Sequence, residues 1–140
     1  KKDYSTSYAI FATDYGSVDS EFVVPGESEA ITVPDGIAHF LEHKMFEQED
    51  GVDPFSYFSE SGTGANAMTF FDYTQYICYG TKKFEDNLEY LIRYVNSPYY
   101  TDQNVEKEKG IIAEELKMYA DIPDYQLDNY LRQNIYQSRK

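Results

Sequence analysis

The chain has 140 residues, 41% of them apolar and 26% charged, which is typical of a folded protein long enough to bury a core. Its formal net charge of −13 arises from 25 acidic and 12 basic side chains. A surface this acidic repels phosphate backbones and anionic lipid headgroups, so nucleic acid and membrane partners are disfavoured. No apolar run in the sequence approaches the roughly 20 residues that a membrane-spanning helix needs.

The predicted elements mix strands and helices without strict alternation. In chain order they are a strand at 7–13, a polar loop through 25–28, a helix opened by 34–36, a short helix at 52–61, strands at 65–71 and 73–80, a helix from Phe84 to Val95 that Pro98 stops, and helices at 104–120 and 123–135. Two strands joined by a tight turn at Asp72 favour an antiparallel pair. We predict an α+β fold, an antiparallel sheet with helices packed on one face, as a single domain over 1–140.

The only cysteine, Cys78, lies in the apolar run 76–80. Because it has no second cysteine with which to form a disulfide, its presence is typical of a reducing compartment. A small buried thiol is favoured over a reactive one. The cysteine content therefore predicts a cytoplasmic location.

The two histidines of the chain stand four residues apart in the segment His39-Phe40-Leu41-Glu42-His43. On a helix this spacing projects both imidazoles from one face, where they can bind one metal ion. Glu42 lies on the same face, off to one side. The alternative is an ordinary polar helix face, and two imidazoles are one ligand short of a zinc site. The pattern therefore predicts zinc if a third ligand follows.

A carboxylate on a later predicted helix can be that third ligand. The positions three and four residues on either side of Glu115 are all apolar. A charge in the middle of an apolar face is costly unless it meets an opposite charge, and a metal ion would satisfy it. Glu108 is seven residues earlier, nearly in register, where it can hydrogen-bond a ligating histidine. For Glu115 alone, a solvated surface carboxylate is the alternative.

The HFLEH segment and the helix around Glu115 together resemble the insulinase, pitrilysin and mitochondrial-processing-peptidase family, whose zinc motif is HxxEH. The bacterial insulinase-like branch is the most similar. The resemblance extends over nearly the whole chain and includes segments 35–38, 64–69 and 74–76. It implies a metallopeptidase-like α/β sandwich and a zinc-dependent endopeptidase that hydrolyses peptides by metal-activated water.

The resemblance also implies roles for individual residues. The metal set is His39, His43 and Glu115 for Zn²⁺, with Glu42 as the catalytic base and Glu108 as a supporting acid. Family members bind the substrate backbone with an Asn-Ala-x-Thr strand edge, which corresponds to Asn66, Ala67 and Thr69. An extended peptide or small protein substrate would add a strand there through backbone hydrogen bonds.

The family builds its chamber from two similar halves, and the second half supplies an Arg and a Tyr that polarise the scissile carbonyl. No position in this chain matches them, so the chain is expected to be a truncated, N-terminal active-site fragment of a two-half peptidase. It would need a C-terminal half or a partner subunit, and alone it would be inactive or weakly active. The loop after Phe46 departs from the Lys-Gly-Thr turn of many members.

Two alternatives belong to other classes of protein. The chain could be a non-catalytic partner or assembly subunit of a two-subunit processing peptidase, although such a subunit does not need a base at Glu42. The zinc could instead be structural, but a structural site fills its fourth position with another Cys or His. The chain has no further histidine, and Cys78 lies in a strand pattern.

Overall fold

The computed structural model describes residues 3–136 and divides into two compact units, one ending at Tyr100 and the other beginning at Thr101. The strands of the first unit are β1 (Ser7–Thr13), β2 (Glu21–Val23), β3 (Ala30–Thr32), β4 (Gly64–Thr69) and β5 (Thr74–Gly80). Its helices are α1 (Ile37–Met45), α2 (Pro54–Glu60) and α3 (Phe84–Val95). The second unit contains α4 (Asp102–Ala120) and α5 (Pro123–Ile135). The single domain predicted over 1–140 stays a prediction.

The main sheet of the first unit is antiparallel, with the strand order β1-β5-β4. Strands β4 and β5 form a tight hairpin in which the Phe70 amide donates a hydrogen bond to the Tyr73 carbonyl over 2.8 Å. The predicted antiparallel pairing at the Asp72 turn is therefore confirmed. A second, two-stranded sheet pairs β2 with β3, where the sequence predicted only a polar loop around 25–28. Its strands are three residues long, too short for a recognisable alternation of apolar residues.

The core of the first unit lies between one face of the sheet and the helices. Alternate residues of each strand point to that face, as strand geometry requires. The buried cluster consists of Ala9, Met45, Phe58, Ala67, Tyr76, Cys78, Tyr90, Leu91 and Tyr94. On the opposite face, Tyr8, Ile10 and Tyr79 are exposed. The predicted α+β fold with helices on one face of an antiparallel sheet is confirmed.

Helix α1, which carries the HFLEH segment, begins directly after a glycine. Gly36 has a φ of 83°, in the left-handed region that favours glycine. Its carbonyl then accepts a hydrogen bond from the Phe40 amide over 3.0 Å. The predicted opening of this helix at 34–36 therefore agrees with the structure.

The end of α1 contains a buried charge that the sequence did not reveal. Lys44 is 0% exposed, and its Nζ donates to Glu47 Oε2 over 2.6 Å. Burying an ammonium is tolerated only when a partner compensates its charge. Glu47 lies in the acidic stretch after Phe46, so one carboxylate of that stretch offsets a buried positive charge.

Replacing Glu47 by Gln is expected to lower the free energy of unfolding by about 3 kcal/mol, because Lys44 would stay buried without its counter-charge. Glu49→Gln removes the same charge from an exposed position of the same stretch and is the matched control. The measurement is urea denaturation followed by circular dichroism. Equal stability of the two variants would contradict a stabilising role for this pair.

The second unit is a pair of helices. Helix α4 begins at Asp102, two residues before the predicted start, because Thr101 and Asn104 form a reciprocal capping box. Pro123 opens α5 at its first turn, as predicted. Within residues 3–136, no helix is both long enough and apolar enough to cross a membrane. The cytoplasmic location stays a prediction.

Candidate metal centre

The imidazoles of His39 and His43 lie side by side on helix α1. Their Nε2 atoms are 3.1 Å apart, and the two rings meet edge to face, with centroids 4.5 Å apart. Both side chains are partly buried. The four-residue spacing therefore brings the same nitrogen of each ring to one point, as the sequence predicted for a shared ligand.

This pair fits a zinc ion. Tetrahedral zinc with bonds of about 2.0–2.1 Å to nitrogen holds two ligand nitrogens about 3.3 Å apart. The observed separation of 3.1 Å is the length of a hydrogen bond between a protonated and an unprotonated imidazole nitrogen. A cation could replace that proton with only a small rearrangement of the two rings.

Glu42, on the same helix, has a partner on the sheet. The Thr69 hydroxyl donates a hydrogen bond to Glu42 Oε2 over 2.6 Å, and both side chains are partly buried. The resemblance suggested Thr69 as a substrate-binding residue and did not suggest this contact. The strand pattern contains a signal for it: Ala65, Ala67 and Thr69 share the face of β4 that packs on the helices. A hydroxyl on that face needs a partner.

Two buried tyrosines of the core, Tyr76 and Tyr94, interact electrostatically with the carboxylate of Glu42. Burial, and then the negative charge of Glu42, raises the pKa of Tyr76 above its ordinary value. Burial raises the pKa of Tyr94 as well, with smaller contributions from Tyr76, Cys78, Tyr90 and Glu42. Both phenols therefore stay protonated at any physiological pH. They therefore add no negative charge near the Glu42 carboxylate.

Strand β4 is at the edge of the main sheet, next to β5. The Phe70–Tyr73 contact makes that pair a hydrogen-bonded one, and such pairs alternate with non-hydrogen-bonded pairs along an antiparallel ladder. Thr69 and Ala67, one and three residues away, therefore occupy non-hydrogen-bonded positions. Their backbone N–H and C=O groups point away from β5, towards the outer edge. Asn66 Oδ1 accepts a hydrogen bond from the outward Ala67 N–H over 2.9 Å.

The remaining two predicted residues belong to the second unit. Glu115 lies in the second half of α4 and is partly buried, and Glu108, two turns earlier, is buried with 8% exposure. The apolar residues around Glu115 are largely exposed, with 69% exposure for Met118. The assignments of Glu115 as a metal ligand and of Glu108 as a supporting acid stay predictions.

Cys78 does not have the properties of a metal ligand. It is 1% exposed within the core cluster, and burial raises the pKa of its thiol. A raised pKa disfavours the thiolate that binds metal. The burial predicted for this thiol is confirmed, and the structural-zinc alternative loses the only cysteine that could complete it.

Comparison with known proteins extends these observations. Residues 27–140 match the family model described as Insulinase (Peptidase family M16), which covers more than half of the chain. The chain belongs to the insulinase family. The resemblance inferred from HFLEH and the Glu115 helix is confirmed. This insulinase-family chain is also 52% identical over 136 residues to the uncharacterized zinc protease YmfH of Bacillus subtilis. The matched region covers 97% of this chain and 32% of that protein.

Solved structures agree with this assignment. The crystal structure of a putative M16-like peptidase from Alicyclobacillus acidocaldarius matches with a TM-score of 0.81 and 48% identity, over 87% of this chain and 28% of that chain. A protease from Helicobacter pylori matches with a TM-score of 0.67 and 22% identity, over 84% of this chain and 27% of that chain, which shows a shared fold. This insulinase-family chain thus spans about a third or less of the length of these relatives.

Proposed function

We propose that this chain provides the zinc-binding and proton-transferring part of an endopeptidase that cleaves extended peptides. The observation that carries the proposal is the pair of Nε2 atoms of His39 and His43, 3.1 Å apart on the same helix as Glu42. The names of relatives support it, since the Bacillus subtilis relative is called a zinc protease.

In this proposal His39, His43 and Glu115 hold Zn²⁺, and Glu108 hydrogen-bonds a ligating histidine and fixes its orientation. Bound zinc would supply a Lewis acid that acidifies water and polarises the scissile carbonyl. Three protein ligands are the number that a catalytic zinc site uses, because a fourth position must stay open.

Glu42 acts as the base in the proposed reaction. Its carboxylate takes a proton from the attacking water and gives it to the leaving amine, so the same side chain serves both steps. The short hydrogen bond from Thr69 keeps one carboxylate oxygen occupied. The other oxygen stays available for the proton. A non-catalytic role, the alternative raised from the sequence, has no observation in its favour.

The substrate would lie along the outer edge of β4. The outward backbone groups of Ala67 and Thr69 would pair with an extended peptide, and the Asn66 amide would exchange its bond to the Ala67 N–H for one to the substrate backbone. Pairing of this kind depends on backbone groups and discriminates little between side chains. The proposed substrates are therefore peptides and small proteins in extended conformation.

The rest of the active chamber would come from a C-terminal half or a partner subunit that supplies an Arg and a Tyr for the developing oxyanion. Loss of one such donor typically costs about 100- to 1000-fold in rate. Residues 1–140 alone are therefore proposed to be inactive or weakly active, and the proposed location is cytoplasmic.

The test is metal content and cleavage by the protein expressed from its complete reading frame. Elemental analysis after zinc soaking and dialysis should find one zinc more per chain in the wild type than in His43→Ala. Quenched fluorescent peptides should be cleaved by the wild type, cleavage should stop with a chelator, and added zinc should restore it. Equal zinc content in the two proteins would contradict the assignment of the site.

A further inference from the structure

Thr69 joins the proposed base to the strand edge that would receive the peptide. It is the last residue of β4, and its hydroxyl lies 2.6 Å from Glu42 Oε2 on α1. Its backbone N–H and C=O, at a non-hydrogen-bonded position of the ladder, point to the outer edge. One residue therefore contacts the carboxylate with its side chain and presents its main chain to the place proposed for the substrate.

From this arrangement we infer that Thr69 is a positioning residue for Glu42, an inference that rests on the proposed function. A glutamate side chain has three rotatable bonds, and outside the core it samples several rotamers. A hydroxyl-to-carboxylate bond of 2.6 Å is short and charge-assisted, so it holds the carboxylate strongly. The donor is itself stiff, because Thr is β-branched and lies on a paired strand.

The consequence is a fixed distance between base and peptide. The Thr69 backbone would fix the position of a peptide paired with the outer edge of β4. The Thr69 hydroxyl fixes the position of the Glu42 carboxylate. Both reacting groups would thus be positioned by the same rigid residue, and such preorganisation accounts for much of the rate that orientation contributes. The side chain of Thr69 serves the base in this inference, and only its main chain serves the substrate.

Thr69→Val keeps the shape of the side chain and removes the hydroxyl. In the protein expressed from its complete reading frame, kcat is expected to fall about 10- to 100-fold, as for other residues that orient a functional group, while KM and zinc content stay at the wild-type values. Thr69→Ser retains the hydroxyl and should restore kcat. Thr13→Val makes the same change at an exposed position of β1 and should leave kcat unchanged.

Peptide binding by inactive variants provides a readout that does not depend on turnover. Glu42→Gln and the double variant Glu42→Gln with Thr69→Val should bind a fluorescent peptide with equal affinity by anisotropy. Weaker binding by the double variant would show that the hydroxyl contacts substrate, and it would overturn the inference. Wild-type kcat in Thr69→Val, or no rescue by Thr69→Ser, would also overturn it.

The two proposals fail differently. If wild-type protein shows no chelator-sensitive cleavage, the proposed function is wrong and this inference falls with it. If the wild type cleaves peptides and Thr69→Val cleaves them equally well, the proposed function stands and only the positioning role is wrong.

Discussion

Glu42→Gln is expected to lower kcat for peptide cleavage by about 100- to 10,000-fold, the contribution that a general acid–base group typically makes. The substitution is nearly isosteric and keeps an oxygen that can accept the 2.6 Å hydrogen bond from Thr69. It removes the capacity to take a proton from water. Zinc content should stay at the wild-type value, because Glu42 is not a proposed ligand.

The measurement pairs initial rates on quenched fluorescent peptides with elemental analysis of the same preparations. Glu49→Gln, an exposed carboxylate just beyond α1, is the control for loss of one negative charge. If Glu42→Gln loses zinc to the same extent as His43→Ala, Glu42 is a ligand and the base must be sought elsewhere. If it keeps both zinc and full activity, the proposed proton transfer is wrong.

Much of the fold was predictable because its signals are local. Gly36 and Pro123 mark helix starts through backbone conformations that their own residue types favour, so α1 and α5 begin where the sequence predicts. Apolar periodicity gave α3 its bounds. The two imidazoles of the site were predictable for the same reason, since a helix fixes the relation between residues four apart.

The features that the sequence did not reveal depend on contacts between elements. From the sequence, Lys44 is a polar residue at the end of a helix. Its packing in the fold makes it fully buried. The β2–β3 pairing depends on the register of two three-residue strands and has no repeat to mark it. In each case the residues that determine the structure lie on another strand or beyond the end of the helix.

The contact between Thr69 and Glu42 illustrates the limit within the site itself. The two residues are 27 positions apart, on a strand and on a helix. Motif matching identifies both residues but assigns Thr69 to the substrate, because a motif states which residues occur and not which atoms meet. The alternation of Ala65, Ala67 and Thr69 along β4 favours a contact between Thr69 and the helices, since it places the Thr69 hydroxyl on the helix side of the sheet.

Glu115→Gln is expected to weaken zinc binding by more than about 100-fold, because residues that merely orient a ligand already contribute about 10- to 100-fold. Gln keeps the size of the side chain and loses the charge that offsets the cation. Titration with a zinc-buffered fluorescent indicator measures the affinity without reference to activity. Peptide cleavage should fall in parallel and return partly at high zinc concentration.

The adjacent residue makes this test specific. Glu114 is exposed, and its Oε1 accepts a hydrogen bond from Lys117 Nζ over 2.6 Å. Glu114→Gln removes the same charge from the same turn of α4, so it reproduces any general effect of the protein's net charge of −13 on a divalent cation. A ligand role predicts that Glu115→Gln alone loses zinc. Equal affinity in the two variants would leave His39 and His43 one ligand short, and the third ligand would then have to be a residue other than Glu115.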